Sequence, residues 1–246
     1  MRTAMRECVD HIEANVAGAA AGVEPEYLHQ LRVGMRRLRA AMRASRGLWR
    51  KKDVRALRLP LGALRAASGP VRDLDVIMPL LPPSARPAAR ARRRTAQAAL
   101  SRLLRTVPPW RLPRAAAGEP PPLHAFARRT LSRLDRRAMQ RGTRADWSDA
   151  DARHALRTRL RRLRYVSEFL MRSFPRRDAA PLIDSLKDLQ DLLGKLNDQV
   201  VARRVARELS CSIPAATARE RALIARLPAA WRRFAAAPRF WQDIGS

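Results

Sequence analysis

One spacing recurs along the chain. His29 and Arg32 return as His154 and Arg157, 125 residues later, and Arg36, Arg37 and Arg39 return as Arg161, Arg162 and Arg164. With no gap, the same offset pairs Leu57, Leu61 and Leu64 with Leu182, Leu186 and Leu189. It then pairs Gly69 with Gly194, Asp73 with Asp198, and Val76 with Val201. The register holds over 48 positions, 29–76 against 154–201. A single insertion between the motifs would break it, so the two segments are expected to share one arrangement of secondary structure, a tandem duplication of one unit.

That unit is expected to be helical. Val, Ile and Thr together make up 25 of 246 residues, few for a sheet protein. Ala, Leu and Arg dominate, and all three favour helix. Prolines mark the breaks. Residues 107–122 hold Pro108, Pro109, Pro113, Pro120, Pro121 and Pro122 with Gly118, a density no helix survives. Shorter breaks fall at Gly22–Pro25, Pro82–Pro87, Gly142–Ser148, Phe174–Pro175 and Ser212–Pro214. Between them lie periodic segments at 2–20, 25–50, 52–80, 86–106, 123–141, 149–173, 177–210 and 215–236. Pro60 and Pro70 are expected to bend or break the third, and Ser148 with Asp151 resembles a capping box for the sixth. The reading is all-α: a single domain over 1–246, with a four-helix half at 1–106, a proline-rich linker at 107–122 and a second four-helix half at 123–236.

On a helical wheel with Arg32 at 0°, Arg36 falls at about 40°, Arg39 at about −20°, Arg43 at about 20° and His29 at about 60°. Leu28, Leu31, Met35, Leu38 and Met42 form a stripe from about −40° to −120°. The basic row therefore borders the apolar stripe instead of opposing it, and it is expected to face a groove between helices. His154, Arg157, Arg161 and Arg164 border Leu156, Leu160 and Leu163 in the same way; Glu168 stands where the first copy has Arg43. A weaker row of Lys51, Arg58, Arg65 and Arg72 recurs every seven residues on the third segment, opposite Arg176, Ile183, Gln190 and Asn197 in the second copy, where Lys187 and Lys195 are candidate substitutes.

Lys and Arg total 51 against 22 acids, a net charge of +29, split as +15 over 1–123 and +14 over 124–246. Only four of the 51 are Lys. Arg forks grip phosphate oxygens bidentately, and acids are too few to neutralise the rows, so a linear polyanion is expected there. Inorganic polyphosphate, with a charge in every unit and no bases to read, fits the Arg rows. Nucleic acid is the alternative on charge, although aromatics are 5% and none interleaves with the first motif. No phosphate-binding Gly loop, HExxH or nucleophile elbow is present, so no catalytic residues, metal ligands or cofactor are assigned and the protein is expected not to be an enzyme. Cys8 and Cys211 read as free thiols. With no apolar span and no signal peptide, a cytoplasmic location is expected. Oligomeric state is left open.

HQLRVGMRRLRAAMR at 29–43, GPVRDLDV at 69–76, HALRTRLRRLRYVSEF at 154–169 and LGKLNDQV at 193–200 resemble the CHAD family, the conserved histidine α-helical domain, over about residues 5–235. The resemblance implies two four-helix bundles related by a pseudo-twofold, with a basic groove between the halves that binds inorganic polyphosphate, and an association with polyphosphate granules. The basic rows and the resemblance together give as binding residues His29, Arg32, Arg36, Arg37, Arg39, Arg43, Arg58, Arg65 and Arg72 in the first half. In the second they are His154, Arg157, Arg161, Arg162, Arg164, Lys187 and Lys195. Many relatives carry an adjoining CYTH domain with an ExExK element that hydrolyses triphosphate. Glu24 and Glu26 here are followed by Tyr27 and Leu28, so that catalysis is not carried over.

Overall fold

A computed structural model describes residues 1–174, 176–211, 213 and 218–242, apart from the side chains of 176–178. Pro175, Ser212 and Pro214, named above as breaks, and the expected helix start at 215–217 lie outside the described residues. Eight α-helices and no strand appear among those that are described: α1 (Arg2–Ala21), α2 (Pro25–Ala44), α3 (Lys51–Ile77), α4 (Arg86–Thr106), α5 (Leu123–Gly142), α6 (Ala150–Leu170), α7 (Arg176–Glu208) and α8 (Ala218–Ala236). The chain is all-α, as composition and periodicity require. No helix among the described residues is long and apolar enough to cross a membrane.

The chain divides into two compact units, Met1–Gly118 with Val201–Ile213, and Glu119–Val200 with Pro214–Ser246. In the first, α1 packs on α2, α2 on α3, α3 on α4 and α4 back on α1. Leu28, Leu31, Met35, Leu38 and Met42 are all buried, so the apolar stripe read from the wheel is the core face of α2. Leu57, Leu61, Leu64, Val71, Leu74 and Ile77 do the same for α3. The end of that core recruits the last turns of α7: Ala202, Val205 and Ala206 pack against Leu74, Ile77, Leu81, Ala85 and Ala89.

Local chemistry corrects three details. The second helix stops at Ala44, not at 50, because the buried Ser45 hydroxyl donates to the Ala41 carbonyl (2.7 Å) and accepts from Trp49 Nε1 (2.7 Å). A 3-10 turn over Arg46–Leu48 follows, and Trp49 then leaves in extended backbone to make a β-bridge with Ala115. Pro60 and Pro70 do not break α3, which runs through both. Each proline removes one N–H donor, and the buried leucine face on either side holds the helix together. The N-cap of α6 is Asp149, whose carboxylate accepts from the Asp151 backbone N–H at 2.9 Å, while Ser148 turns back to Asp146.

In the second unit, α5 packs on α6. Gly142 ends α5 against Trp231 of α8: a Cβ there would lie 2.0 Å from a ring carbon. Arg239, nearly buried, closes the end of α8. Its guanidinium donates to the carbonyls of Phe234, Ala235 and Ala237 and pairs with Asp135 at 3.0 Å, satisfying acceptors that the helix end leaves open.

Candidate polyanion site

The first unit carries the denser cluster. Its two basic rows, read from separate helices, meet. Arg32 on α2 feels Arg72 and Arg65 on α3, and Arg39 feels Arg65 and Arg58. His29 feels Arg72 as well as Arg36 and Arg32 on its own helix. Arg58, Arg65 and Arg72 of the seven-residue row of α3 therefore face the row of α2 in spite of the two prolines.

Arg32 sits deepest. Its Nη1 donates to the Ser68 hydroxyl at 2.7 Å, and Ser68 is fully buried and donates a hydrogen bond in turn to the Arg65 carbonyl at 3.3 Å. The Nε atoms of Arg32 and of Arg36 are buried and have no hydrogen-bond partner. Burial first, then the charges of Arg36, Arg72 and Arg65, push the Arg32 guanidinium down to about 10, with Asp73 opposing them. Burial and the same kind of crowding, from Arg43, Arg65 and Arg58, lower Arg39. For His29, burial and Arg72 lower the imidazole below the ordinary histidine range; Glu26 opposes, and Arg36 and Arg32 add to the lowering. Among the described residues none of Arg32, Arg36, Arg39, Arg43, Arg58, Arg65 and Arg72 is in an ion pair, and the acid felt by Arg32, Asp73, is itself paired with Arg204. Like charges held together at reduced dielectric repel, and an anion laid along them relieves that repulsion.

The second unit builds a comparable row with different chemistry. His154 Nδ1 lies 2.9 Å from Asn197 Oδ1, the same two repeat positions that bring His29 to Arg72 in the first unit. Arg157 passes over Gly194, where an added Cβ would stand 3.6 Å from its Nη2. Arg164 pairs with Glu168 at 3.5 Å, and its guanidinium lies 5.2 Å from the centre of the Tyr165 ring. Arg157, Arg161 and Arg162 all have partners of their own. Gln190, at the position of Arg65, buries an amide nitrogen with no hydrogen-bond partner.

Other expected site residues stand apart. Arg37 points to α1, where its guanidinium acts on the Cys8 thiol; burial nevertheless raises that thiol to about 11. Lys187 is exposed and pairs with Asp184 at 3.0 Å, and Lys195 is exposed on α7. Ser68 and Arg204 escaped sequence reasoning. Ser68 carried one signal, a hydroxyl in step with the apolar positions 61, 64 and 71 of α3. Arg204 lies 131 residues from the acid it holds and carried none.

A family model described as "CHAD domain" matches residues 3–207. The crystal structure of the CHAD domain from the plant Ricinus communis superposes with a TM-score of 0.72 at 26% identity, covering 97% of this chain and 92% of that one. PptA from Streptomyces chartreusis superposes with a TM-score of 0.60 at 14% identity, covering 96% of each chain, a likeness that bears on the fold alone. No curated protein sequence matches.

Proposed function

Because the chain belongs to the CHAD family, some members of which bind polyphosphate, we propose that it binds inorganic polyphosphate without chemical turnover. The ligand runs along the basic rows of α2 with α3 and of α6 with α7, and cellular association with polyphosphate granules follows from that binding. One observation carries the reading: Arg32, Arg36, Arg39, Arg58, Arg65 and Arg72 crowd one another with no ion-paired acid of their own, while burial and mutual repulsion lower the groups at the centre. Successive turns offer guanidinium groups about 5–6 Å apart, and forked donors at that interval suit a chain of phosphates. Ser68 holds Arg32 in place, so little side-chain entropy is lost on binding.

The test replaces Arg32, Arg36, Arg157 and Arg161 with Ala and titrates long-chain polyphosphate at fixed salt. Affinity is expected to fall at least a hundredfold while helicity by circular dichroism is kept. Unchanged affinity, or displacement of polyphosphate by RNA at equal phosphate concentration, overturns the reading. Salt must be held constant because counterion release makes such affinities fall steeply with it.

A further inference from the structure

A cleft of about 1250 Å³ opens in the first unit beside the start of α3. One wall is α3 itself; the other is the turn after α2 together with residues 116–117. That second wall is fastened. The Arg50 N–H donates to the Arg114 carbonyl at 2.9 Å and the Ala116 N–H to the Leu48 carbonyl at 3.0 Å. Arg114 also clamps Asp53, through its backbone N–H (3.0 Å), Nε (2.9 Å) and Nη2 (3.1 Å). The cleft is thus a built feature of the fold.

Its lining has two characters. Arg46, Arg50, Lys51, Lys52, Arg55 and Arg58 supply six cations, and no acid lines the cleft. Asp53, the acid nearest in sequence, is committed to Arg114. The rest is apolar: Trp49, Val54, Leu59, Ala116 and Ala117 with Gly47. Leu59 is 67% exposed there, a large apolar side chain left in water beside a ring of positive charge.

We propose that this cleft is a docking surface for an acidic amphipathic helix of a partner protein, whose apolar stripe covers Val54 and Leu59 and whose Asp and Glu side chains meet the cationic rim. Charge complementarity selects the partner. Six cations around an apolar floor match a helix with leucines at i, i+3, i+4 and i+7 and acids on its flanks. The lining argues against a nucleotide, since it holds no side-chain hydroxyl, amide or carboxylate to read a base, and the Trp49 N–H is already given to Ser45. The net charge of +29 argues against a second copy of this chain. Arg58 belongs both to this rim and to the row proposed for polyphosphate; the docking reading rests on the other five cations and the apolar floor and has its own test.

The probe is a fluorescein-labelled, 16-residue peptide of Leu and Glu with leucines at i, i+3, i+4 and i+7, measured by anisotropy against the full chain at fixed salt. It is expected to bind at least tenfold more tightly than a scrambled peptide of the same composition. Leu59→Glu with Arg55→Glu is expected to weaken it at least tenfold. Leu59→Ser repeats the measurement with no change of charge; a loss of at least threefold is expected there, with polyphosphate affinity left within about threefold. Equal binding of the two peptides, or no loss in either variant, overturns the proposal. So does a finding that ATP or phosphatidylglycerol vesicles bind at Leu59 and the helical peptide does not.

Discussion

Arg32 is a charge that the free protein holds against its own interest, and replacing it by methionine separates stability from binding. The perturbation keeps an unbranched side chain of similar length in a helix interior. The guanidinium is lowered from the ordinary arginine range to about 10 by burial and by Arg36, Arg72 and Arg65. At 1.36 kcal/mol per unit, keeping the charge there costs about 3 kcal/mol. Arg32→Met also removes the 2.7 Å bond to Ser68, worth about 1 kcal/mol, although the Ser68 hydroxyl keeps its bond to the Arg65 carbonyl. Asp73 keeps Arg204. The variant should therefore gain about 2 kcal/mol, or about 4–8 °C in Tm for a chain of this size. Binding should move the other way. One charge-assisted contact to phosphate is worth about 1.5–3 kcal/mol, a loss of about 10- to 150-fold in affinity. Thermal melting by circular dichroism and calorimetric titration with polyphosphate read both quantities on the same sample. A variant that melts below the parent protein, or that binds as tightly, refutes the reasoning.

Four further outcomes follow. An anion on the rows offsets the Arg charges that lower His29, so binding raises its pKa and takes up a proton. Affinity should therefore rise as pH falls from about 7.5 to 5.5, and His29→Ala should flatten that slope. In the free protein the sign is opposite: His29 contributes stability that is complete above its ordinary value of 6.5 and is lost as pH falls below it, which melts at a series of pH values would record. Gly69 lies between Arg65 and Arg72 on α3, and beyond its chain neighbours a Cβ there meets nothing within 4 Å; Gly69→Leu should weaken polyphosphate binding about tenfold by occupying the ligand's path, and should lower Tm, because a side chain directly before Pro70 is disfavoured in helical backbone. Gly142→Ala should cost about 1–3 kcal/mol, seen as a lowered Tm, because the added carbon runs into the buried Trp231 ring.

Much of this was legible in the chain because helical periodicity and proline punctuation are local signals. The two basic rows were legible because they border leucine stripes, and the structure buries those stripes. What lay hidden was non-local. Arg37 shares the motif with Arg36, yet one residue turns it about 100° around the helix, toward Cys8 on α1. Asp73 and Asp198 look equivalent by offset, but the partner of Asp73 comes from far along the chain, in the last turns of α7. Pro60 and Pro70 read as bends or breaks because propensity is a local quantity; the helix is not broken at either, because the burial that holds α3 together is collective. The cleft at the start of α3 needs a β-bridge across 66 residues, from Trp49 to Ala115, which no periodicity announces.

The short stretch 201–213 gives the chain a schedule. A ribosome that has released residues 1–118 has delivered four helices, but Leu74, Ile77, Leu81, Ala85 and Ala89 still lack Ala202, Val205 and Ala206. Some 80 further residues must be synthesised before that gap can close, about 4–16 s at ordinary translation speed. Throughout that interval the nascent chain carries an uncovered apolar edge beside an excess of positive charge, in the presence of ribosomal RNA. Cutting the gene in the proline linker makes the same state permanent, so a 1–118 fragment should bind hydrophobic dyes and aggregate unless a peptide spanning 199–213 is added back.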